Sequence, residues 1–222
     1  MDILDRFQEI VSETQTGERC PIVVEAGACD GYHTDLLCQA MGERDYVLHA
    51  FEPCLNLINS LASRNARHFP RLKIVPAALG ATDGWVRFFQ SSGYTESEGV
   101  PTENFYGSSS MKAPGVVTDL WPAMRFQNSW CFSYRLDTYC REQSIPFIDF
   151  IWADIQGSEK DLILGGAGIL EKTRYLYTEI NIGGMYKDSG YASVEDLRKI
   201  LPGEWEIVED YGGDVLFRNL SP

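Results

Sequence analysis

The sequence lacks the features that mark several large classes of protein. It has three histidines, and its six cysteines include no Cys-x-x-Cys pair and form no zinc-ligand cluster with the histidines. No stretch approaches the roughly 20 apolar residues that a membrane-spanning helix needs, and the acidic first residues are unlike a signal peptide. These absences predict a cytoplasmic protein with reduced thiols, without a zinc site and without a membrane span.

Positive charge is also scarce. Lysine and arginine number 19 against 32 aspartates and glutamates, so the formal net charge is −13. Proteins that bind nucleic acid usually present a basic face to the phosphates, and we therefore expect no nucleic-acid partner. The densest basic stretch, residues 64–73, is either a local basic patch or a solvated helix end, and the second interpretation is favoured.

Apolar runs alternate with helical patterns along most of the chain. The first five predicted strands of the sheet are residues 22–24, 45–52, 71–75, 147–154 and 174–180. Residues 205–209 and 214–218, which flank Gly212 and Gly213, predict a closing antiparallel hairpin. Strands that alternate with helices favour a parallel sheet. We therefore predict a doubly wound, mostly parallel, seven-stranded α/β sheet with a C-terminal antiparallel hairpin.

Length and composition fit a single folded domain. Hydrophobic residues make up 44% and charged residues 23% of the chain, which argues against disorder. Residues 1–17 have the spacing of an amphipathic helix. Residues 90–132 combine serine, glycine, threonine and proline with aromatic residues and lack clear periodicity. We expect one domain over residues 1–222, with an N-terminal helix at 1–17 and a lid or insert at 90–132.

Acidic residues stand at the ends of four predicted strands. They are Glu25, Glu52, Asp154 and Glu179. In a doubly wound sheet these strand ends line one crevice, and an acid after the second strand accepts hydrogen bonds from both hydroxyls of a ribose. Glu25 precedes a glycine turn that ends at Gly31, where an acid repels a pyrophosphate and suits a cation. S-adenosylmethionine (SAM) carries a ribose, a sulfonium and an ammonium and fits both acids, although Glu25 alone equally fits an acid that stabilises a helix N-terminus.

Three segments in the first half of the chain resemble FkbM-type SAM-dependent methyltransferases. Val24–Gly31 resembles the family's SAM glycine loop, Ala50–Pro53 its ribose-binding acid motif, and Ala77–Gly80 its adenine-side segment. The resemblance covers residues 21–90 and 133–218, and it implies a Rossmann-like class I methyltransferase fold that binds SAM. The implied cofactor-binding residues are Glu25, Gly27, Ala28, Asp30, Gly31, Glu52, Pro53, Ala77, Ala78 and Asp154.

A fourth segment, Ile148–Glu159, is similar to the most specific stretch of the family. The family commonly has Lys-x-Asp-x-Glu-Gly-x-Glu there. This chain has Trp152 at the lysine position and Gln156 at the first glutamate position. Each departure removes a charge beside Asp154.

The resemblance implies an enzyme that methylates a hydroxyl of a sugar, a glycan or a secondary metabolite. Holding the hydroxyl oxygen in line with the methyl group supplies most of the rate, and a carboxylate that removes the proton adds a factor on the order of 10²–10⁴. Asp154 is the first candidate base and Glu179 the second, although Asp154 equally fits cofactor contact or helix capping. Asp154, Glu179 and Asn181 are alternatively ligands of a divalent cation, magnesium or calcium, which no short-spaced motif supports.

Three other functions are weighed against this one. An NAD-dependent oxidoreductase would also place Glu52 on a ribose, but the Glu-x-Gly-x-x-x-Gly spacing lacks the third glycine of the dinucleotide fingerprint. A non-catalytic SAM-binding module would account for Trp152 and Gln156. The negative charge disfavours an RNA methyltransferase. Neither the acceptor nor the oligomeric state follows from any pattern in the sequence.

Overall fold

A mixed seven-stranded sheet forms the centre of the structure, a computed structural model that describes residues 2–14, 19–93, 95–97, 100–102, 105–180, 183–191 and 193–222. The strands are β1 (Ile22–Ala26), β2 (Val47–Phe51), β3 (Leu72–Val75), β4 (Ala78–Leu79), β5 (Gly84–Gly93), β6 (Thr95–Ser97), β7 (Val100–Thr102), β8 (Met124–Tyr134), β9 (Ile148–Ala153), β10 (Thr173–Glu179), β11 (Trp205–Asp210) and β12 (Asp214–Asn219). The helices are α1 (Ile3–Thr14), α2 (Tyr32–Met41), α3 (Leu55–Arg64), α4 (Val117–Leu120), α5 (Leu136–Glu142), α6 (Glu159–Gly165), α7 (Ala167–Leu170) and α8 (Val194–Ile200). No helix in this described part is long and apolar enough to span a membrane.

The strand order of the large sheet is β11-β12-β10-β9-β1-β2-β3. The run from β3 through β2, β1 and β9 to β10 is parallel, and β12 lies antiparallel to both β10 and β11. The predicted doubly wound sheet with its C-terminal hairpin is confirmed, and all seven predicted strands agree with the observed bounds to within two residues. The order reverses between β1 and β9, and sheets of this kind bind ligands beyond the strand ends at such a point.

Helices cover both faces of the sheet. On one face α1 and α2 pack against β1, β2 and β9, and Phe7 of α1 makes an edge-to-face contact with Phe150 at 4.9 Å. On the other face α5 to α8 pack against the alternate residues of the same strands. Neighbouring residues of one strand therefore face opposite helical layers. The helix predicted at 1–17 is observed at Ile3–Thr14, and residues 15–18 lie outside the described part.

A second sheet corrects the prediction that residues 90–132 lack regular structure. β5 and β8 form an antiparallel ribbon in which Gly84 lies opposite Ser133 and Gly93 opposite Met124. Strand structure thus extends into both ends of the predicted insert. Residues 85–89 alternate as a short strand in the sequence and predict the start of β5, whereas its second half and β8 escaped detection because serine and glycine interrupt their apolar residues and many of their side chains are at least partly exposed.

A buried carboxylate ties the start of β9 to the segment before β1. Asp149 is fully buried and accepts hydrogen bonds from the Ile22 N–H (3.0 Å) and from both terminal nitrogens of Arg19 (2.6 and 3.1 Å). The Arg19 guanidinium also lies 3.8 Å above the Phe147 ring. This contact joins the two strands that flank the reversal of strand order.

Replacing Asp149 by alanine is expected to lower the free energy of unfolding by about 2–3 kcal/mol, because the Ile22 N–H loses a charged acceptor inside the sheet. Urea unfolding followed by circular dichroism measures the change. Glu195→Ala, which breaks an exposed pair with Arg198, is the control and is expected to change stability little. A loss no larger than that of the control would contradict this role of Asp149.

Candidate functional site

A cavity of about 510 Å³ opens at the carboxyl ends of β1, β2, β9 and β10. One part of its lining comes from the glycine turn after β1, the acid after β2 and residues 77–79. Another part comes from residues 105–111 and from side chains within 117–124. The volume is typical of small-molecule sites, and the position at the reversal of strand order makes this cavity the candidate functional site.

The glycine turn packs tightly between β2 and β9. The N–H groups of Gly27 and Ala28 donate to the Phe51 carbonyl at 3.0 and 2.9 Å. Gly27 has a φ of +87°, and a Cβ at this position would overlap the carbonyl oxygen of Asp154. Glycine is therefore required where the two loops meet. Gly27, Ala28 and Asp30 line the cavity, as a cofactor-binding role requires.

Two backbone N–H groups hold Glu52 at the cavity. Its Oε2 accepts from the Cys29 N–H at 2.8 Å and its Oε1 from the Cys54 N–H at 2.6 Å. Glu52 is 5% exposed, and burial raises its pKa to about 7 although both hydrogen bonds oppose the shift. Each carboxylate oxygen has a second lone pair, so Glu52 can also accept from the hydroxyls of a ligand. The neighbouring lining residues are Pro53, Ala77 and Ala78.

Glu25 and Gly31 are not among the residues that line the cavity, so a direct contact of either residue with a cofactor stays a prediction from the sequence. Side chains alternate along β1, and Glu25 faces α2, where its Oε2 accepts from Thr34 Oγ1 at 2.6 Å. Glu25 is fully buried, its Oε1 has no hydrogen-bond partner among the described residues, and burial raises its pKa to about 8. Gly31 lies behind the turn, where its carbonyl accepts from the Asn65 amide.

Asp154 and Glu179 share one amide inside the cavity. Gln156 Nε2 lies 2.6 Å from Asp154 Oδ1 and 2.7 Å from Glu179 Oε2, so that its two N–H bonds donate to the two carboxylates. Gln156 Oε1 accepts from the Tyr186 hydroxyl at 2.6 Å. Only Oδ1 of Asp154 takes part in this bridge. In the sequence Gln156 stands out merely as a lost charge, because the bridge depends on how β9 and β10 are placed together.

This arrangement does not fit the alternative of a shared divalent cation. The amide nitrogen occupies the position between the two carboxylates that a shared cation would take, and an N–H donor repels a cation. Asn181, the third ligand of that alternative, lies outside the described residues. Within the described ranges, no group of three or more histidine, cysteine, aspartate or glutamate side chains is placed to hold a metal ion.

Residues 105–111, here called the outer wall, belong to the segment predicted as a lid or insert and form part of the cavity lining. The Phe89 and Ser110 main chains exchange two hydrogen bonds of 2.8 and 3.1 Å, which fix the wall to β5. Ser110 Oγ also donates to the Gln156 carbonyl at 2.7 Å. The signal in the sequence was the mixture of serine and aromatic residues. The mixture suits a ligand that has both hydroxyl groups and an apolar face.

The cavity lining is acidic. Carboxylates come from Asp30, Glu52, Asp154 and Glu179, and no lysine or arginine belongs to the described lining. Arg64 pairs with Asp30 at 2.7 Å, where both side chains are exposed. Such a lining favours a cationic ligand and opposes the phosphates of a dinucleotide or a nucleic acid.

The basic stretch at 64–73 is paired with acids and carbonyls. Arg64 binds an acid of the cavity rim, and Arg67 binds Asp35 at 2.7 Å. Arg71 donates to two main-chain carbonyls near the end of α2. These contacts favour the interpretation of the stretch as a helix end rather than as an open basic patch.

The chain is similar to known methyltransferases. A family model described as the methyltransferase FkbM domain matches residues 25–212. The 2-O-methyltransferase NoeI of Sinorhizobium fredii (strain NBRC 101917 / NGR234) is 28% identical over 204 residues, which are 90% of this chain and 79% of that protein.

Two solved structures share the fold. Methyltransferase FkbM from Methylobacillus flagellatus KT superposes with a TM-score of 0.51 at 16% identity, and the alignment covers 90% of this chain and 43% of that chain. The METTL16 MTase domain superposes with a TM-score of 0.50 at 10% identity and covers 97% of this chain and 66% of that chain. The present chain thus spans less than half of the first structure and about two thirds of the second.

The raised pKa of Glu25 is expected to make stability depend on pH. The unfolded carboxyl ionises near 4.5, whereas the folded one keeps its proton up to about 8. The folded state therefore binds more protons in this window, and stability falls as the pH rises from about 5 to 8. Glu25→Gln cannot ionise and should flatten this fall, by on the order of 1–3 kcal/mol at pH 8.

Urea unfolding at pH 5 and at pH 8 measures this effect in the absence of ligands. The control is Glu142→Gln at the exposed end of α5, which should leave the pH dependence unchanged. A Glu25→Gln variant with the pH dependence of the wild type would show that Glu25 is not the buried group that titrates.

Proposed function

Because the chain belongs to the FkbM methyltransferase family, we propose that it transfers a methyl group from SAM to a hydroxyl oxygen of a sugar, a glycan or a secondary metabolite. The family match covers residues 25–212, and the sheet is that of class I methyltransferases. The observation that carries the proposal is the acidic cavity at the reversal of strand order, with Glu52 held in its lining by two N–H groups. Residues 1–222 are proposed to act as one methyltransferase domain, in which the outer wall contacts the acceptor.

The cofactor is proposed to lie against the glycine turn and Glu52. SAM, when bound, supplies a methyl group on a positively charged sulfur. Glu52 would accept from the ribose hydroxyls, and Pro53, Ala77 and Ala78 would contact the adenine. The acidic lining supports this cofactor over NAD, because a pyrophosphate would meet carboxylates and no lysine or arginine of the described lining.

Asp154 is the proposed base for the acceptor hydroxyl. It lies in the cavity at the carboxyl end of β9, and Gln156 engages only its Oδ1, so that Oδ2 can take the hydroxyl proton. Glu179, on the other side of the same amide, is the second candidate. The wall residues Ser108 and Tyr106 supply polar and aromatic contacts that suit a sugar ring. The name of the 2-O-methyltransferase relative supports oxygen as the methylated atom.

Glu52→Ala is expected to weaken binding of S-adenosylhomocysteine, which retains the ribose and the adenine. The loss of a charged acceptor corresponds to about 2–3 kcal/mol, or a roughly 30- to 150-fold rise in Kd, which isothermal titration calorimetry measures. Asp137→Ala is the matched control. Asp137 also accepts from two backbone N–H groups, those of Gly168 (3.2 Å) and Ile169 (2.8 Å), but does not line the cavity.

Thermal stabilisation by NAD and by neither SAM nor S-adenosylhomocysteine would overturn the proposed function.

Asp154→Asn is expected to lower kcat by about 10²- to 10³-fold because the variant cannot take the hydroxyl proton, while the Kd for S-adenosylhomocysteine stays within about threefold. The assay measures transfer of a labelled methyl group from SAM to a panel of methyl hexosides, 6-deoxyhexosides and uronosides. A full rate in Asp154→Asn together with a loss in Glu179→Gln would identify Glu179 as the base. No labelled product across the panel would contradict a sugar acceptor.

A further inference from the structure

One side chain links the acid pair to the outer wall. The side-chain amide of Gln156 donates one hydrogen bond to Asp154 and one to Glu179, and its Oε1 accepts from the Tyr186 hydroxyl. Its main-chain carbonyl accepts from Ser110 Oγ of the outer wall. Gln156 therefore contacts the candidate base and the wall at the same time.

Tyr186 holds the end of the Gln156 amide that faces away from the two carboxylates. Tyr186 is 2% exposed, and its hydroxyl lies 2.6 Å from Gln156 Oε1 and 3.0 Å from the Ser108 carbonyl of the outer wall. The carboxylates of Asp154 and Glu179 can only accept, so the NH₂ group of Gln156 must face them and its Oε1 faces the Tyr186 hydroxyl. The opposite orientation would bring the amide oxygen against two carboxylates.

The backbone conformation of Gln156 and Gly157 allows the close approach of Tyr186. Gln156 has a φ of +53°, and Gly157 a φ of +89°. A Cβ at Gly157 would lie 2.8 Å from Tyr186 Cβ, so only glycine lets the tyrosine approach. A positive φ at a glutamine costs conformational free energy, which argues that Gln156 has a role beyond filling space.

We propose that Gln156 is a positioning residue, which holds Asp154 through Oδ1 so that Oδ2 faces the acceptor hydroxyl, and which ties this orientation to the outer wall through Tyr186. The inference rests on the proposed methyl transfer. It assigns Tyr186 no contact with the acceptor and makes its effect on the reaction pass through Gln156. The two residues then act as one unit, which a double-mutant cycle detects.

Gln156→Met keeps the length of the side chain and removes both N–H donors, and Tyr186→Phe removes the hydroxyl alone. On the best glycoside of the panel, we expect kcat to fall about 30-fold in Gln156→Met and about 10-fold in Tyr186→Phe. The Kd for S-adenosylhomocysteine should stay within about twofold in both. The double variant should be no slower than Gln156→Met, since Tyr186 has nothing left to orient. A double variant whose loss is the product of the two single losses would overturn the inference.

Tyr191→Phe is the matched control. Tyr191 is also buried and donates to a glutamate, Glu159, at 2.7 Å, and it is not among the residues that line the cavity. Its loss removes the same chemical group, so a general effect of buried tyrosine hydroxyls would lower kcat equally in Tyr186→Phe and Tyr191→Phe. We expect kcat of Tyr191→Phe within about twofold of the wild type, and an equal loss in both variants would overturn the inference.

Amide hydrogen exchange separates failure of this inference from failure of the proposed function, because it needs no acceptor. We expect Tyr186→Phe and Gln156→Met to speed exchange of the amides at 105–111 at least fivefold, and Tyr191→Phe to leave them unchanged. Unchanged exchange at 105–111 in both variants would overturn the link between Gln156 and the wall, even if methyl transfer were observed. Faster exchange without any methylated glycoside would support the link and count against the sugar acceptor alone.

Discussion

The close approach of Gly27 to the main chain of Asp154 is the constraint on which the site depends. The loops after β1 and β9 meet there because Gly27 has no side chain and adopts a positive φ. The Asp154 N–H donates to the Ala26 carbonyl and continues the pairing of β1 with β9 past the strand ends. The contact places the turn that is proposed to hold the cofactor beside the carboxylate that is proposed to act as base. Any side chain at 27 would separate the two halves of the cavity.

Several carboxylates lie close together in the cavity, and the described lining contains no lysine or arginine. Each acid is stabilised in a different way. Glu52 accepts from two backbone N–H groups, and Asp154 and Glu179 share one amide. Glu25, which faces α2, accepts from a threonine hydroxyl, and burial raises its pKa to about 8. Neutral donors hold the carboxylates in place and leave the cavity with negative charge, which is what a sulfonium cofactor requires.

The sheet and the place of Glu52 in the cavity lining could be predicted from the sequence, because strand periodicity and the acid after β2 are local signals. Glu25 is not among the residues that line the cavity because its side chain faces α2, and a one-residue step along a strand reverses the face. Residues 85–89 predict the start of β5, but β8 and its pairing with β5 were missed because the two strands are far apart in the chain and half-exposed. The bridge at Gln156 was beyond prediction, since it joins residues from β9, β10 and the loop that follows.

The two departures from the family pattern are better understood together than one at a time. Trp152 and Gln156 replace a lysine and a glutamate, so one positive and one negative charge disappear and the formal charge around Asp154 is unchanged. Trp152 is buried against Tyr177, with ring centroids 4.4 Å apart, where an ammonium would be costly. Gln156 retains the length of a glutamate and gains two donors. A chain that had merely lost turnover would have no reason to keep both carboxylates bridged at 2.6 and 2.7 Å. The paired change therefore favours an enzyme with a rebuilt acid pair over a non-catalytic binding module.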